Sequence, residues 1–249
     1  MIELANISKV FNRGKANEIT ALHPLDLTIA EGEFLTLIGA NGSGKTTLLN
    51  LIAGAVLPST GRIRIDGEDI TDLPEHRRAR WVARVFQNPL GGTAPDLSIL
   101  DNFRLAALRT RPKRLMIGID ERFKATVRDK IAALGLGLEN KLQQPIGALS
   151  GGQRQALTLL MSAMDHTDIL LLDEPTAALD PKSAEVVMQT AGRIIAEYQL
   201  TAILITHNLR DAHRFGNRLI QMSGGQVARD LGAADKQRLR VEEMYGWFG

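Results

Sequence analysis

The chain has 249 residues, 44% of them apolar and 23% charged, with a formal net charge of +2. That is the composition of a globular protein long enough to bury a core, and the small charge gives no argument for a nucleic-acid partner. There is no cysteine, which excludes disulfides, thiol nucleophiles and cysteine-ligated zinc.

Residues 2–38 read as short β segments. Leu25-Asp26-Leu27-Thr28-Ile29 alternates as a half-exposed strand does, Glu31-Gly32-Glu33 makes a turn, and Phe34-Leu35-Thr36-Leu37-Ile38 is a nearly continuous apolar run, the pattern of a strand buried on both faces. Gly39 to Gly44 breaks the run, and a helix is predicted from Thr46 to Ala55. Gly61-Arg62-Ile63-Arg64-Ile65-Asp66-Gly67 alternates again and ends in a turn. From Pro89 to about Leu149 helical patterns punctuated by proline and glycine dominate, which marks an inserted helical subdomain. Buried-strand character returns at 168–172 and 201–206, with a helix between them at about 182–197. Strand–helix alternation around buried strands implies an α/β fold with a parallel sheet. No run approaches 18 consecutive apolar residues, and Met1–Asn6 lacks the basic and apolar regions of a signal peptide. The expectation is a chain that crosses no membrane itself and depends on partner subunits for any span.

Gly39-Ala40-Asn41-Gly42-Ser43-Gly44-Lys45-Thr46 satisfies G-x-x-x-x-G-K-[ST] at every fixed position, after a buried strand and at the start of a helix. Glycines let successive N–H groups turn inward onto phosphate oxygens, and the helix N-terminus adds partial positive charge. Lys45 reaches β- and γ-phosphates, and the Thr46 hydroxyl is a ligand for Mg²⁺; Thr47 follows in the first turn. The second cluster, Ile169-Leu170-Leu171-Leu172-Asp173-Glu174, is an apolar run ending in two acids. A buried strand delivers Asp173 to its C-terminal end, where open α/β sheets bind ligands, and Asp173 there holds Mg²⁺ through water. Glu174 is placed to take a proton from an attacking water.

Leu149-Ser150-Gly151-Gly152-Gln153 is a Ser-Gly-Gly turn opening a helix, a second cluster of exposed N–H groups suited to an anion. Two such helix starts in one chain either bind two phosphates or use both on one. LSGGQ resembles the signature of the ABC ATPase family, and other pieces match in family order. Gln87 in Val85-Phe86-Gln87-Asn88-Pro89 resembles the Q-loop, Asp180 in Ala178-Leu179-Asp180 the D-loop, and His207 in Ile205-Thr206-His207 the switch histidine. Phe11 resembles the aromatic that stacks on adenine, although an apolar residue there also serves core packing. The resemblance covers about residues 1–230. It implies one ABC ATPase domain over 1–249: a P-loop NTPase core (1–88 and 160–249) with an N-terminal antiparallel β subdomain, and a helical subdomain (89–159) carrying the signature.

The resemblance further implies a head-to-tail homodimer that clamps each ATP between Lys45 of one copy and Ser150, Gly151, Gly152 and Gln153 of the other. Thr46, Gln87 and Asp173 would serve Mg²⁺, and Glu174 and His207 hydrolysis. The departures are Phe11 where tyrosine is usual, Ala178 where serine is common, and Gln155-Ala156-Leu157-Thr158-Leu159-Leu160-Met161 after Arg154. With Gly92-Thr93-Ala94-Pro95, Thr206-His207-Asn208-Leu209-Arg210-Asp211-Ala212 and Gly216-Asn217-Arg218-Leu219-Ile220, this last variant is similar to ATPases of bacterial uptake systems. Those pair with an integral membrane permease and an extracytoplasmic substrate-binding protein, and some are described as aromatic amino-acid importers. The implied place is the cytoplasmic face of the inner membrane. The alternatives are the ATPase of an exporter or lipid-extraction system, and a soluble ABC protein, although one signature and no sustained heptads speak against the last. Arg104, Arg109, Arg111, Lys113 and Arg114, with no acid among them, read either as a solvated face or as a contact with the permease or anionic lipid.

Overall fold

The computed structural model describes residues 1–88, 90–110 and 118–248. In chain order the elements are β1 (Ile2–Phe11), β2 (Ile19–Ile29), β3 (Phe34–Ile38), α1 (Lys45–Ala53), β4 (Thr60–Ile65), β5 (Glu68–Asp69), α2 (Glu75–Arg78), β6 (Val82–Val85), α3 (Ile99–Ala106), α4 (Glu121–Ala132), a 3-10 turn (Ile146–Ala148), α5 (Gly151–Ser162), β7 (Ile169–Asp173), α6 (Pro181–Glu197), β8 (Thr201–Ile205), α7 (Leu209–Arg214), β9 (Arg218–Ser223), β10 (Gln226–Leu231), α8 (Ala233–Arg238) and α9 (Val241–Tyr245). They divide into two compact units. The first comprises Met1–Arg78, Leu171–Glu174 and the chain from Leu200 onward; the second comprises Ala79–Leu170 and Pro175–Gln199. Among the described residues no helix is long and apolar enough to cross a membrane.

The first unit contains an antiparallel sheet in the order β2-β1-β4-β5. Ile2 pairs with Ile29 on one side and Ile65 on the other, and these three isoleucines form one buried row. The alternation predicted at 25–29 holds: Leu25, Leu27 and Ile29 are buried while Asp26 and Thr28 are exposed. The unit's other sheet runs β10-β9-β3-β8 and on to the end of β7. β3 is parallel to both β8 and β9. β10 runs antiparallel to β9 and was not foreseen, so the sheet is mixed rather than purely parallel. The C-terminal helices close over it: Leu209 and Ala212 of α7, Leu219 of β9 and Met244 of α9 form a buried cluster with Ile38.

α1 stops at Ala53, two residues short of the predicted end, because Gly54 takes a left-handed conformation (φ 82°) and its N–H caps Asn50 O. The fully buried Arg78 completes that end. Its guanidinium donates to Leu51 O (2.5 Å) and Ile52 O (3.1 Å) in the last turn of α1, and to Thr71 O (2.9 Å) and Leu73 O (2.8 Å). A cation at a helix C-terminus meets the negative end of its dipole, and here it also satisfies carbonyls that have no intrahelical donor.

In the second unit the N–H groups of Asp168 and Ile169 both donate to Trp81 O (2.9 Å each), which sets β6 beside the start of β7. α3, α4 and α5 pack together in this unit, and α5 lies against α6. Ser98 caps α3, accepting from Asp101 N, and Asp120 caps α4, accepting from Phe123 N.

Arg78→Met removes five donors while keeping an apolar stem. Chemical denaturation should show a loss of about 2–5 kcal/mol, the range for breaking a buried, hydrogen-bonded charge. A loss below about 0.5 kcal/mol would mean that the carbonyls find other partners.

Candidate functional site

Three parallel strands deliver the chemistry of the first unit. Leu37 pairs with Ile205, so the residues that follow β3 and β8, Gly39 and His207, leave the sheet at the same level. β7 ends there too, since the Glu174 N–H donates to Ile205 O (3.0 Å). The phosphate loop, the two acids and the histidine therefore meet at the C-terminal ends of the strands, the edge where open α/β sheets bind ligands. His207 Nε2 is in close contact with the Glu174 carboxylate. Glu174 is mostly buried and sits at φ 48°, a left-handed conformation unusual for a residue with a side chain. Such a backbone costs on the order of 1–3 kcal/mol and persists because Ile205 and His207 fix it.

Two glycines allow the loop its path. Gly39 (φ 154°) passes so close to Met222 that a Cβ would collide with its carbonyl, and at Gly44 (φ 98°) a Cβ would stand 2.7 Å from both Ala21 O and Leu22 Cδ2. Asn41 and Gly42 are exposed at the turn, and Ser43 is buried, its carbonyl accepting from Gly225 N (3.2 Å). Gly44 is the N-cap of α1 and offers no side-chain cap, and no acid lies in the first turn. The first-turn N–H groups of Lys45, Thr46 and Thr47 thus keep their positive potential for an external anion. Lys45 is 5% exposed, and its ammonium donates to Gly39 O (2.8 Å) and Ala40 O (3.0 Å). Burial pushes its pKa down, opposed by the nearby Glu174 and Asp173 carboxylates. Asp173 is buried at the end of β7. Phe11 ends β1 opposite Ile19, two residues before Ala21 and so about 7 Å along the strand from the Gly44 contact. It is half-buried with the Lys9 ammonium 5.0 Å from its ring centroid, and so lies outside the core.

The second unit holds the other motif residues. Gln87 is exposed in the bend after β6. Ser150 is the N-cap of α5 in a capping box: its hydroxyl accepts from Gln153 N (3.3 Å), and the Gln153 side chain accepts from Ser150 N (3.2 Å). The box takes up two of the N–H groups expected to face an anion, which leaves those of Gly151 and Gly152. A Cβ on Gly152 would fall 2.5 Å from Ser183 Cβ, so this glycine lets α5 and α6 approach. Asp180 is the N-cap of α6, accepting from Lys182 N and Ser183 N (3.1 Å each) with Pro181 in the first turn. The Ser183 hydroxyl first, and then these N–H bonds, hold its carboxyl below the ordinary range. Ser183 thus joins the Asp180 and Gly152 motifs.

A family model described as ABC transporter matches residues 22–177. The chain belongs to the ABC transporter family. It is 39% identical over 245 residues to the tyrosine transport ATP-binding protein of Clostridioides difficile, covering 98% of this chain and 97% of that one. It is 34% identical over 235 residues to a lipoprotein-releasing system ATP-binding protein of Caulobacter vibrioides, covering 93% and 96%. A solved ATP-binding cassette in a dimeric post-hydrolysis state, bound to ADP and Pi, matches with a TM-score of 0.79 at 32% identity over 94% of this chain and 99% of that chain. This cassette is an ATP-binding subunit of an ABC transporter and an ATPase.

The basic run needs a correction. Arg109 is half-buried, donating to His166 O (2.7 Å) and to the Thr167 hydroxyl, while Asp165 accepts from the neighbouring Thr110 N–H and hydroxyl (2.7 Å each). Arg104 packs over the Phe123 ring at 5.4 Å. Both arginines hold the second unit together rather than forming a free charged face. Arg111, Lys113 and Arg114, like Pro89, lie outside the described residues. Sequence reasoning also passed over Gln155 and Asn102, buried amides on α5 and α3. An uncharged amide among apolar helix neighbours was the available signal.

Gly152→Ala should destabilise the cassette without nucleotide by about 1–3 kcal/mol, as overpacking does. Ser183→Gly in the same chain should restore part of that loss in thermal unfolding, and no restoration would place the strain elsewhere.

Proposed function

We propose that this cassette is the ATPase of a bacterial importer, working as a head-to-tail homodimer on an integral membrane permease served by an extracytoplasmic substrate-binding protein. The observation that carries the chemistry is the meeting of the phosphate loop, Asp173, Glu174 and His207 at the ends of three parallel strands, with His207 against the Glu174 carboxylate. Lys45 and the first-turn N–H groups of α1 neutralise the β- and γ-phosphates of ATP, and Phe11 offers its ring to adenine. Ser150, Gly151, Gly152 and Gln153 of the opposite copy close on the γ-phosphate, with Asp180 at the same closure. Exchanging its present carbonyl partners for phosphate gives the Lys45 ammonium stronger, charge-assisted bonds.

Thr46, Gln87 and Asp173 are oxygen donors of the hard type that Mg²⁺ prefers, and Asp173 is a buried carboxylate beside the lysine. Among the described residues no three His, Cys, Asp or Glu gather as a metal cage, which suits an ion held mainly by phosphate and water. When bound, Mg²⁺ neutralises charge on the transferring phosphoryl group. Glu174 takes the proton of the attacking water as the water oxygen bonds to the γ-phosphorus and the bond to the ADP oxygen breaks. Its αL backbone and His207 fix the carboxylate's direction, so the base is oriented before substrate arrives.

Glu174→Gln keeps the size and removes the basicity. ATP binding should survive while steady-state turnover falls about 10²-fold or more. Near-wild-type turnover would sink the assignment.

The import direction draws on the tyrosine transport relative, whose identity extends over nearly the whole of both chains. The export or lipid-extraction reading draws on the lipoprotein-releasing relative, which is matched almost as completely. The exposed leucines Leu90, Leu97 and Leu105 lie in or just after the segment following Gln87 and support docking of a permease there. The cassette would then sit on the cytoplasmic face of the membrane as a peripheral subunit. Deleting the gene should abolish cellular tyrosine uptake, and the protein should fractionate with membranes only when its permease is co-expressed. Intact uptake with failed lipoprotein release would select the export reading. A cassette that stays in the soluble fraction with the permease present would remove both.

A further inference from the structure

Consecutive side chains on α5 grip two separate turns of the second unit. Arg154 donates to Ile146 O (3.2 Å), Gly147 O (2.8 Å) and Leu149 O (2.9 Å), which fixes the turn leading into Ser150. Gln155 is 1% exposed, and its Nε2 donates to Phe86 O (2.9 Å), the carbonyl immediately before Gln87. Farther along the same connection the buried Asn102 holds Ala94 through both its N–H (2.8 Å) and its carbonyl (3.0 Å). The connection from β6 to α3 is therefore tied to α5 at Phe86 and to α3 at Ala94.

We propose that Gln155 is a positioning residue that locks the Gln87 turn to the signature helix, so that the group serving one ATP moves with the donors presented to the other. This rests on the roles given above to Gln87 and to Ser150–Gln153. In a head-to-tail pair each chain uses Gln87 at its own nucleotide and the start of α5 at its partner's. The Gln155–Phe86 bond then ties together the geometries of the two sites. A neutral amide is suited to this task because it donates to a buried carbonyl without placing a charge in the interior. Loss of the donor leaves the Phe86 carbonyl unpaired and the turn free to shift, and a misplacement of about 1 Å near a reacting group costs up to ~10²-fold in rate.

The test uses the full-length chain with two substitutions. Gln155→Met keeps length and volume and removes the donor. We expect ATP affinity within about 2-fold of the wild type, turnover reduced about 10-fold, and a higher Mg²⁺ concentration for half-maximal activity. Gln155→Glu introduces a carboxyl that donates to Phe86 O only when protonated, and burial raises its pKa. Its activity relative to wild type should be near unity at pH 6 and fall towards that of Gln155→Met by pH 8.5. Unchanged turnover in Gln155→Met overturns the proposal, as does a parallel fall in turnover, ATP affinity and thermal stability, which is the mark of a purely structural residue. If Gln155→Met does not fold, the pH ratio of Gln155→Glu decides, and a flat ratio overturns it. Gln87→Ala is the control. If it is impaired while Gln155→Met is not, this inference alone fails; if it turns over like the wild type, the assigned role of Gln87 fails and the inference with it.

Discussion

The register between β3 and β8 fixes much of what the first unit can do. Pairing Leu37 with Ile205 makes the two strands end together, so the glycine loop and His207 emerge side by side. Glu174 joins them because its N–H donates to the last carbonyl of β8. A slip of one residue would turn the side chains of β3 to the opposite face, and it would carry Gly39 away from the Met222 carbonyl that now limits it to glycine. Parallel strands buried on both faces resist such a slip, since every side chain of β7 and β8 is already packed.

Within that frame the chain's own contacts hold the polar groups in place. Lys45 is too buried to be solvated, and the loop's own carbonyls accept its hydrogen bonds. Glu174 carries a strained backbone and an imidazole partner. These interactions keep the polar groups of the site from being unpaired in a half-dry environment.

The second unit follows a different logic, that of helix starts. Ser150 and Asp180 each cap a helix, and each spends its side chain on local N–H groups. Gly152 and Ser183 bring those two starts together. Motif residues here therefore carry a folding role as well as the one proposed towards nucleotide, and a substitution at any of them acts on both. Arg109 teaches the same caution: an arginine in a basic run is fastened to the backbone at His166.

The sequence by itself determined the class of this protein. Glycine spacing, apolar runs ending in acids and the LSGGQ turn are local patterns, because phosphate loops and strand ends are built from consecutive residues. It also fixed the alternation at 25–29, the buried strands at 34–38 and 201–205, and the helix after Asp180. Tertiary structure alone decided which groups meet. The Glu174–His207 contact, the grip of Arg78 on the end of α1, the Gln155–Phe86 bond and the Gly152–Ser183 approach join residues 26 to 69 positions apart. The antiparallel edge strand β10 and the packed C-terminal helices also lay beyond the sequence, since their short elements are held by contacts with distant strands rather than by a periodicity of their own.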